Sequence, residues 1–180
     1  MTDTITDTTT NTINKYFILL LTLFLISSNT ASANDNKENN RYKNQVMTKG
    51  LNHLGLTVKN VQASADFFID TLGWKKAGGY PDYPAIFVTD GEIFLTLWQT
   101  NDAAQTVLFD RKNNVGLHHL ALTVTSKEIL DELHRRFTLV PDLVIEFAPE
   151  LNGKGPTIHM MIREPSGNRI EFAYNPPKAQ

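Results

Sequence analysis

The chain has 180 residues, 41% of them hydrophobic and 20% charged, with no cysteine. That balance supports one globular domain with a real core. It excludes disulfides and thiolate metal ligands, so any metal must be held by His, Asp or Glu, and a formal net charge of −2 with no basic stripe gives nucleic-acid binding no electrostatic support.

In chain order, a Thr-rich polar stretch leads to Lys15 and the apolar run Tyr16 to Ile26. That run is shorter than the roughly 20 residues that span a bilayer. It is followed by Ala31-Ser32-Ala33, an A-x-A site, so residues 1–33 read as a secretory signal peptide cleaved after Ala33. The alternative reading is an uncleaved membrane anchor. Either one places the domain outside the cytoplasm, periplasmic or secreted, and the lack of cysteine excludes a lipoprotein. Residues 34–50 are rich in asparagine, offer little to bury and read as a flexible leader.

The domain spans 51–174, with 175–180 as a tail. LNHLGLTV (Leu51 to Val58) alternates as a half-buried strand. Asn60 caps a helix on which Val61, Ala65, Phe68 and Leu72 share a face, and Gly73 stops it. AIFVT and EIFLTLWQ then flank Asp90-Gly91, which reads as a two-residue hairpin turn. This first unit covers about 51–99.

The second unit, about 117–174, opens with LHHLALTV, identical to the first strand at six of eight positions and aligning His119 with His53. Thr125 and Glu128 read as a capping box before a helix with Ile129, Leu133 and Phe137 on one face. LVIEF, TIHMMIRE and NRIEFAY follow, with a turn at Pro165-Ser166-Gly167-Asn168. The fold class is therefore α+β: two paired βαβββ units around a shared cavity. PELNGKGP, residues 149–156, reads as a loop able to cover that cavity.

Alternation assigns faces. His119, Ala121 and Thr123 point away from the helix, as do Arg169 and Glu171 on the last strand, whereas His118 shares the core phase and reads as a bystander. His53, His119 and Glu171 make a 2-His-1-carboxylate set, a donor type suited to Fe²⁺, Mn²⁺, Ni²⁺ or Zn²⁺. On the neighbouring strand His159 faces the cavity as a candidate proton carrier, with Arg163 as an anion partner. Phe94, Thr96, Trp98 and Met161 complete the expected pocket.

The strand LNHLGLTV with ADFFIDTLGW, then NVGLHHLALTV, then EPSGNRIEF, in that order, resembles the vicinal oxygen chelate superfamily of glyoxalase I, extradiol dioxygenases, fosfomycin and bleomycin resistance proteins and methylmalonyl-CoA epimerases. The resemblance implies one divalent metal and a small substrate with adjacent oxygens. It implies glyoxalase-like lyase or isomerase chemistry, or dioxygenase chemistry. It also places Glu171 as the metal carboxylate and catalytic group. Thr96 stands where glyoxalase I and the epimerases carry a fourth ligand, and a neutral hydroxyl is neither a good ligand nor a base. The alternative is a metal-free protein that sequesters a planar or cationic small molecule. The apolar Val107, Leu108 and Phe109 in the linker point to a contact surface, so a homodimer is expected.

Overall fold

The computed structural model describes residues 43–178; the signal-peptide reading of residues 1–33 lies outside them. Eight strands and two main helices follow in two matching sets. The first is β1 (Leu54–Val58), α1 (Val61–Asp66, continued by one π turn, Phe67–Thr71), β2 (Lys75–Tyr80), β3 (Ala85–Thr89) and β4 (Phe94–Gln99). The second is β5 (Leu120–Val124), α2 (Lys127–Phe137), β6 (Val144–Leu151), β7 (Ile158–Arg163) and β8 (Arg169–Tyr174). Each set builds its own four-stranded mixed sheet, ordered β1-β4-β3-β2 and β5-β8-β7-β6.

The repeat extends to register. β1 runs parallel to β4 with Gly55 opposite Thr96, and β5 runs parallel to β8 with Ala121 opposite Glu171. Thr96 therefore occupies in the first sheet the place that Glu171 occupies in the second.

Local chemistry sets the element ends. The Asn60 side chain accepts from the Ala63 N–H to start α1, as its residue type dictates. Gly73 closes the following turn at φ 77°, a left-handed conformation that side chains with a Cβ resist. The cap of α2 is Ser126, which accepts from the Ile129 N–H at 3.3 Å, not the expected Thr125. Shifting the start by one residue also moves the buried stripe. Leu130 and Phe137 are fully buried while Ile129 is 47% exposed.

Asp90-Gly91 does not make a two-residue hairpin. Thr89 pairs with Phe94, leaving a four-residue connection in which Asp90 accepts from the N–H groups of Glu92 and Ile93. Glu92 thus lies in the turn, not on the strand. β6 runs on to Leu151, so residues 149–151 of the expected cover loop are strand. Pro149 is accommodated because β6 is an edge strand whose pairing is irregular between Phe147 and Glu150.

One hydrophobic core serves both halves. It takes Leu56, Val58, Phe68, Val88, Leu95 and Leu97 from the first, and Leu122, Leu130, Met160, Ile162, Ile170 and Phe172 from the second. The Phe67 and Phe137 rings meet at 5.7 Å between centroids, and Phe137 contacts Phe172 at 5.1 Å. Both sheets therefore turn their helix-covered faces toward shared packing and present their opposite faces outward. A polar junction adds to this. Glu164, only 1% exposed, accepts from Ser64 Oγ at 2.6 Å, from the backbone N–H groups of Ser166 and Asn168, and from Asn168 Nδ2. Asn168 Nδ2 also donates to the Thr57 carbonyl, and Asn60 N donates to Ser166 Oγ.

Candidate active site

The outer face of the second sheet carries the densest chemistry. Glu171 sits mid-strand on β8 with Ala121 on one side and Met161 on the other. Its two oxygens are taken by two imidazoles: His119 Nε2 lies 3.0 Å from Oε2, and His159 Nδ1 lies 2.5 Å from Oε1. A carboxylate only accepts, so both ring nitrogens donate. The Phe147 ring lies 4.9 Å from that of His159, and Met161, beside Glu171 on the neighbouring strand, is buried. The register Met161↔Glu171 and His159↔Ala173 explains the grouping, since residues across adjacent strands share a face.

A charged layer lies beside it. Arg169 donates through Nε and Nη2 to Glu146, which also pairs with Arg163 Nε at 2.8 Å. Hydrogen bonds from Arg169, and then its charge and that of Arg163, hold the Glu146 carboxyl below its ordinary range against the opposing effect of burial. Arg163 is thus engaged by Glu146. His118, which strand phase turns toward the core, touches this group instead. Its Nδ1 lies 2.7 Å from His119 Nδ1 and 3.3 Å from Arg169 Nη1, which also donates to the His118 carbonyl. Desolvation, and then the Arg169 charge, lower the His118 pKa. The alternation rule misses this contact because His118 and His119 precede β5, where strand phase no longer governs side-chain direction.

His53 stands in the matching place before β1, exposed, with Nδ1 2.7 Å from Asn52 Oδ1. The register explains the difference from His119: the residue opposite Gly55 is Thr96, which offers no carboxylate. Thr96 is buried and accepts from Trp98 Nε1 at 2.9 Å. Within one chain the structure brings together His119, Glu171 and His159, and His53 is not among them. Among the described residues no group of three or more His, Asp or Glu side chains is disposed to hold a metal ion. The pair His119 and Glu171 has suitable donor chemistry, but the three-residue set anticipated from the repeat does not assemble in one chain.

The outer face of the first sheet is aromatic. Trp98 contacts Tyr80, Tyr83 and Phe87 at 5.2–6.1 Å between centroids, and Phe87 also contacts Phe94 at 5.9 Å. Phe94 and Trp98 were legible from alternation. Tyr80, Tyr83 and Phe87 were not, because β2, the 81–84 turn and β3 each supply one ring to a surface that no single strand encodes.

The family model described as the Glyoxalase/Bleomycin resistance protein/Dioxygenase superfamily matches residues 50–172, both units together. The chain belongs to that superfamily. No curated protein matches it, but solved structures share the glyoxalase-superfamily fold. A glyoxylase/bleomycin resistance protein/dioxygenase domain from Frankia is 23% identical at TM-score 0.61, covering 72% of this chain and 99% of that one. The genomically encoded fosfomycin resistance protein of Listeria monocytogenes is 17% identical at TM-score 0.56, covering 72% and 96%. The lactoylglutathione lyase of Agrobacterium tumefaciens is 20% identical at TM-score 0.52, covering 72% and 94%.

Proposed function

We propose that this chain is an exported metal-dependent enzyme of the superfamily, assembled as a homodimer. In this reading His119 and Glu171 of one protomer join His53 of its partner. The observation that carries it is the unequal pair of outer faces. One holds a carboxylate clamped by two imidazoles, and the other holds a histidine at the equivalent place with no carboxylate. β1 and β5 each pair on one side only within the chain. Gly55, Thr57, Ala121 and Thr123 on these edges are exposed. Open edges of this kind are pairing surfaces, and joining them would set one face opposite the other.

His53, His119 and Glu171 would hold a divalent ion, Fe²⁺, Mn²⁺, Ni²⁺ or Zn²⁺ by donor type, which supplies Lewis acidity toward adjacent substrate oxygens. The chain's own groups do the rest. His159 Nδ1–H holds Glu171 in orientation and serves as proton carrier, and His118 fixes the ring of His119. Substrates of the lyase/isomerase type or of the dioxygenase type both suit these groups. The second reading, a metal-free sequestering protein, is favoured by the missing three-donor group within one chain.

Metal content separates the two. Residues 34–180, purified without chelator, are expected to bind about one divalent ion per chain, and Glu171→Ala to lose it. Mixing a His53→Ala chain with a Glu171→Ala chain is expected to restore one site per mixed dimer. A metal-free wild type, or a mixture that restores nothing, overturns this reading. Export is checked by N-terminal sequencing of protein recovered outside the cytoplasm, expected to begin at Asn34.

A further inference from the structure

We infer that the basic cavity beside the His119–Glu171 group binds an oxyanion, the carboxylate or phosphate end of the substrate. The inference rests on the preceding reading only in taking that anion to be part of a substrate. A shallow cavity opens between the 110–114 turn and the end of β7, lined by Arg111, Lys112, Arg163, Asp110, Leu108 and Phe109. Arg169 stands behind it, joined to Arg163 through the shared Glu146 carboxylate. Arg163 gives its Nε to Glu146 and reaches the Gly167 carbonyl through Nη1 at only 3.5 Å. Hydrogen bonds from Arg169 do most to hold the Glu146 carboxyl low, and the charge of Arg111 acts on it as well, so Arg111 belongs to the same cluster. Among the described residues Arg111 takes no acceptor of its own.

Three observations select an anion. The first is the sign of the charge. Arg111, Lys112, Arg163 and Arg169 face only the carboxylates of Glu146 and Asp110, in a chain whose formal net charge is −2. The positive excess is therefore local to this cavity. The second is desolvation. Arg169 is 8% exposed and the Arg163 side chain 28%. Guanidinium groups withdrawn from water require counter-charge, and one carboxylate divided between two of them leaves the cluster short. The third is that the cations are held in place. Asp110 accepts from the Lys112 N–H and from Asn113 Nδ2, so its carboxylate is spent within its own turn. That turn is seated at both ends. A Cβ added at Gly167 would stand 2.8 Å from Leu108 Cδ2, and one at Gly116 would stand 2.7 Å from Phe109 Cε2. Forked guanidinium donors fixed in this way match the oxygens of a carboxylate or phosphate. The cavity also adjoins the candidate site. Arg169 Nη1 donates to the His118 carbonyl, and His118 Nδ1 lies 2.7 Å from His119 Nδ1.

The probes are inorganic phosphate and acetate, with acetamide as the uncharged counterpart of acetate. Each is titrated into the full chain at low ionic strength, followed by calorimetry and by the imidazole signals of His118 and His134, which His118→Gln and His134→Gln assign. Phosphate and acetate are expected to bind saturably and to shift the His118 signal, with His134 on α2 unmoved, while acetamide does neither. Whichever anion binds more tightly assigns a phosphate or a carboxylate end. Arg111→Gln, on a surface turn, is expected to weaken binding about tenfold without changing metal content, and Arg111→Lys to recover part of the loss. Lys154→Gln, at an exposed position outside the cluster, is expected to change nothing. Equal binding of acetate and acetamide, an unmoved His118 signal, full affinity in Arg111→Gln, or an equal loss in Lys154→Gln overturns the inference. The outcomes are separable: a monomeric, metal-free protein that binds phosphate through Arg111 removes the enzyme reading alone. A metal-loaded dimer whose phosphate affinity is the same in Arg111→Gln removes this inference alone.

Discussion

Glu171 accepts from two imidazoles, and one of them, His119, is in turn held by His118. That second contact changes what a substitution at 118 should do. In a metal-bound state His119 Nε2 is committed, so Nδ1–H points to His118 Nδ1, and the partner of a ligating histidine commonly contributes 10–100-fold to affinity. His118→Ala is therefore expected to weaken metal binding about tenfold, and Thr96→Ala to leave it nearly unchanged. Titration with a competing chelator measures both, and an unaffected His118 variant removes the positioning role. Glu146 gives a pH test. Its depressed pKa means that its stabilising effect is present above the ordinary carboxyl value of 4.5 and is lost as pH falls through the lower folded value. Glu146→Gln is expected to cost about 2 kcal/mol near neutrality, and the gap in Tm from wild type should narrow below that value. At this scale strand phase made Glu171, His159 and Met161 legible, and the repeat made His119 legible. Glu146 and Glu164 were not, because each takes its partners from a turn or from another strand, and nothing in spacing along one strand encodes them.

The helices and strands form where the hydrophobic periods place them, and departures occur at their ends. Ser126 rather than Thr125 caps α2 because its side chain reaches the N–H three residues on. Ser126→Ala is thus expected to cost about 1 kcal/mol, and Thr125→Ala much less. Chemical denaturation of the two variants decides between the caps, with equal losses ruling out Ser126 as the sole one. The 90–93 turn and the length of β6 escaped the sequence for one reason. Residue type shows that a turn or a proline is present, but cross-strand register decides how many residues lie outside the ladder, and β3 and β7 set that register.

Across the molecule, the paired architecture was readable because one strand is written twice and the order of elements recurs after it. The separation of the two outer faces was not readable, since it depends on the helices meeting through Phe67 and Phe137. Truncating either ring is expected to cost 3–5 kcal/mol, as for buried aromatics generally. Analytical ultracentrifugation is expected to show a homodimer, and a monomer at micromolar concentration contradicts the shared site.

Every strand pairing in the described chain closes within one half, and none crosses the 100–116 connection. The longest-range rungs therefore join residues about 41–50 positions apart, such as Gly55 with Thr96 and Ala121 with Glu171. Only side-chain contacts such as Ser64 with Glu164 span about 100. Loop-closure entropy is thus met twice over short distances, with docking left to apolar packing and one polar turn. Refolding should show each sheet acquiring amide protection before the Glu164 junction forms, and a single backbone cut near Arg111 should leave both ladders, and the fold, intact.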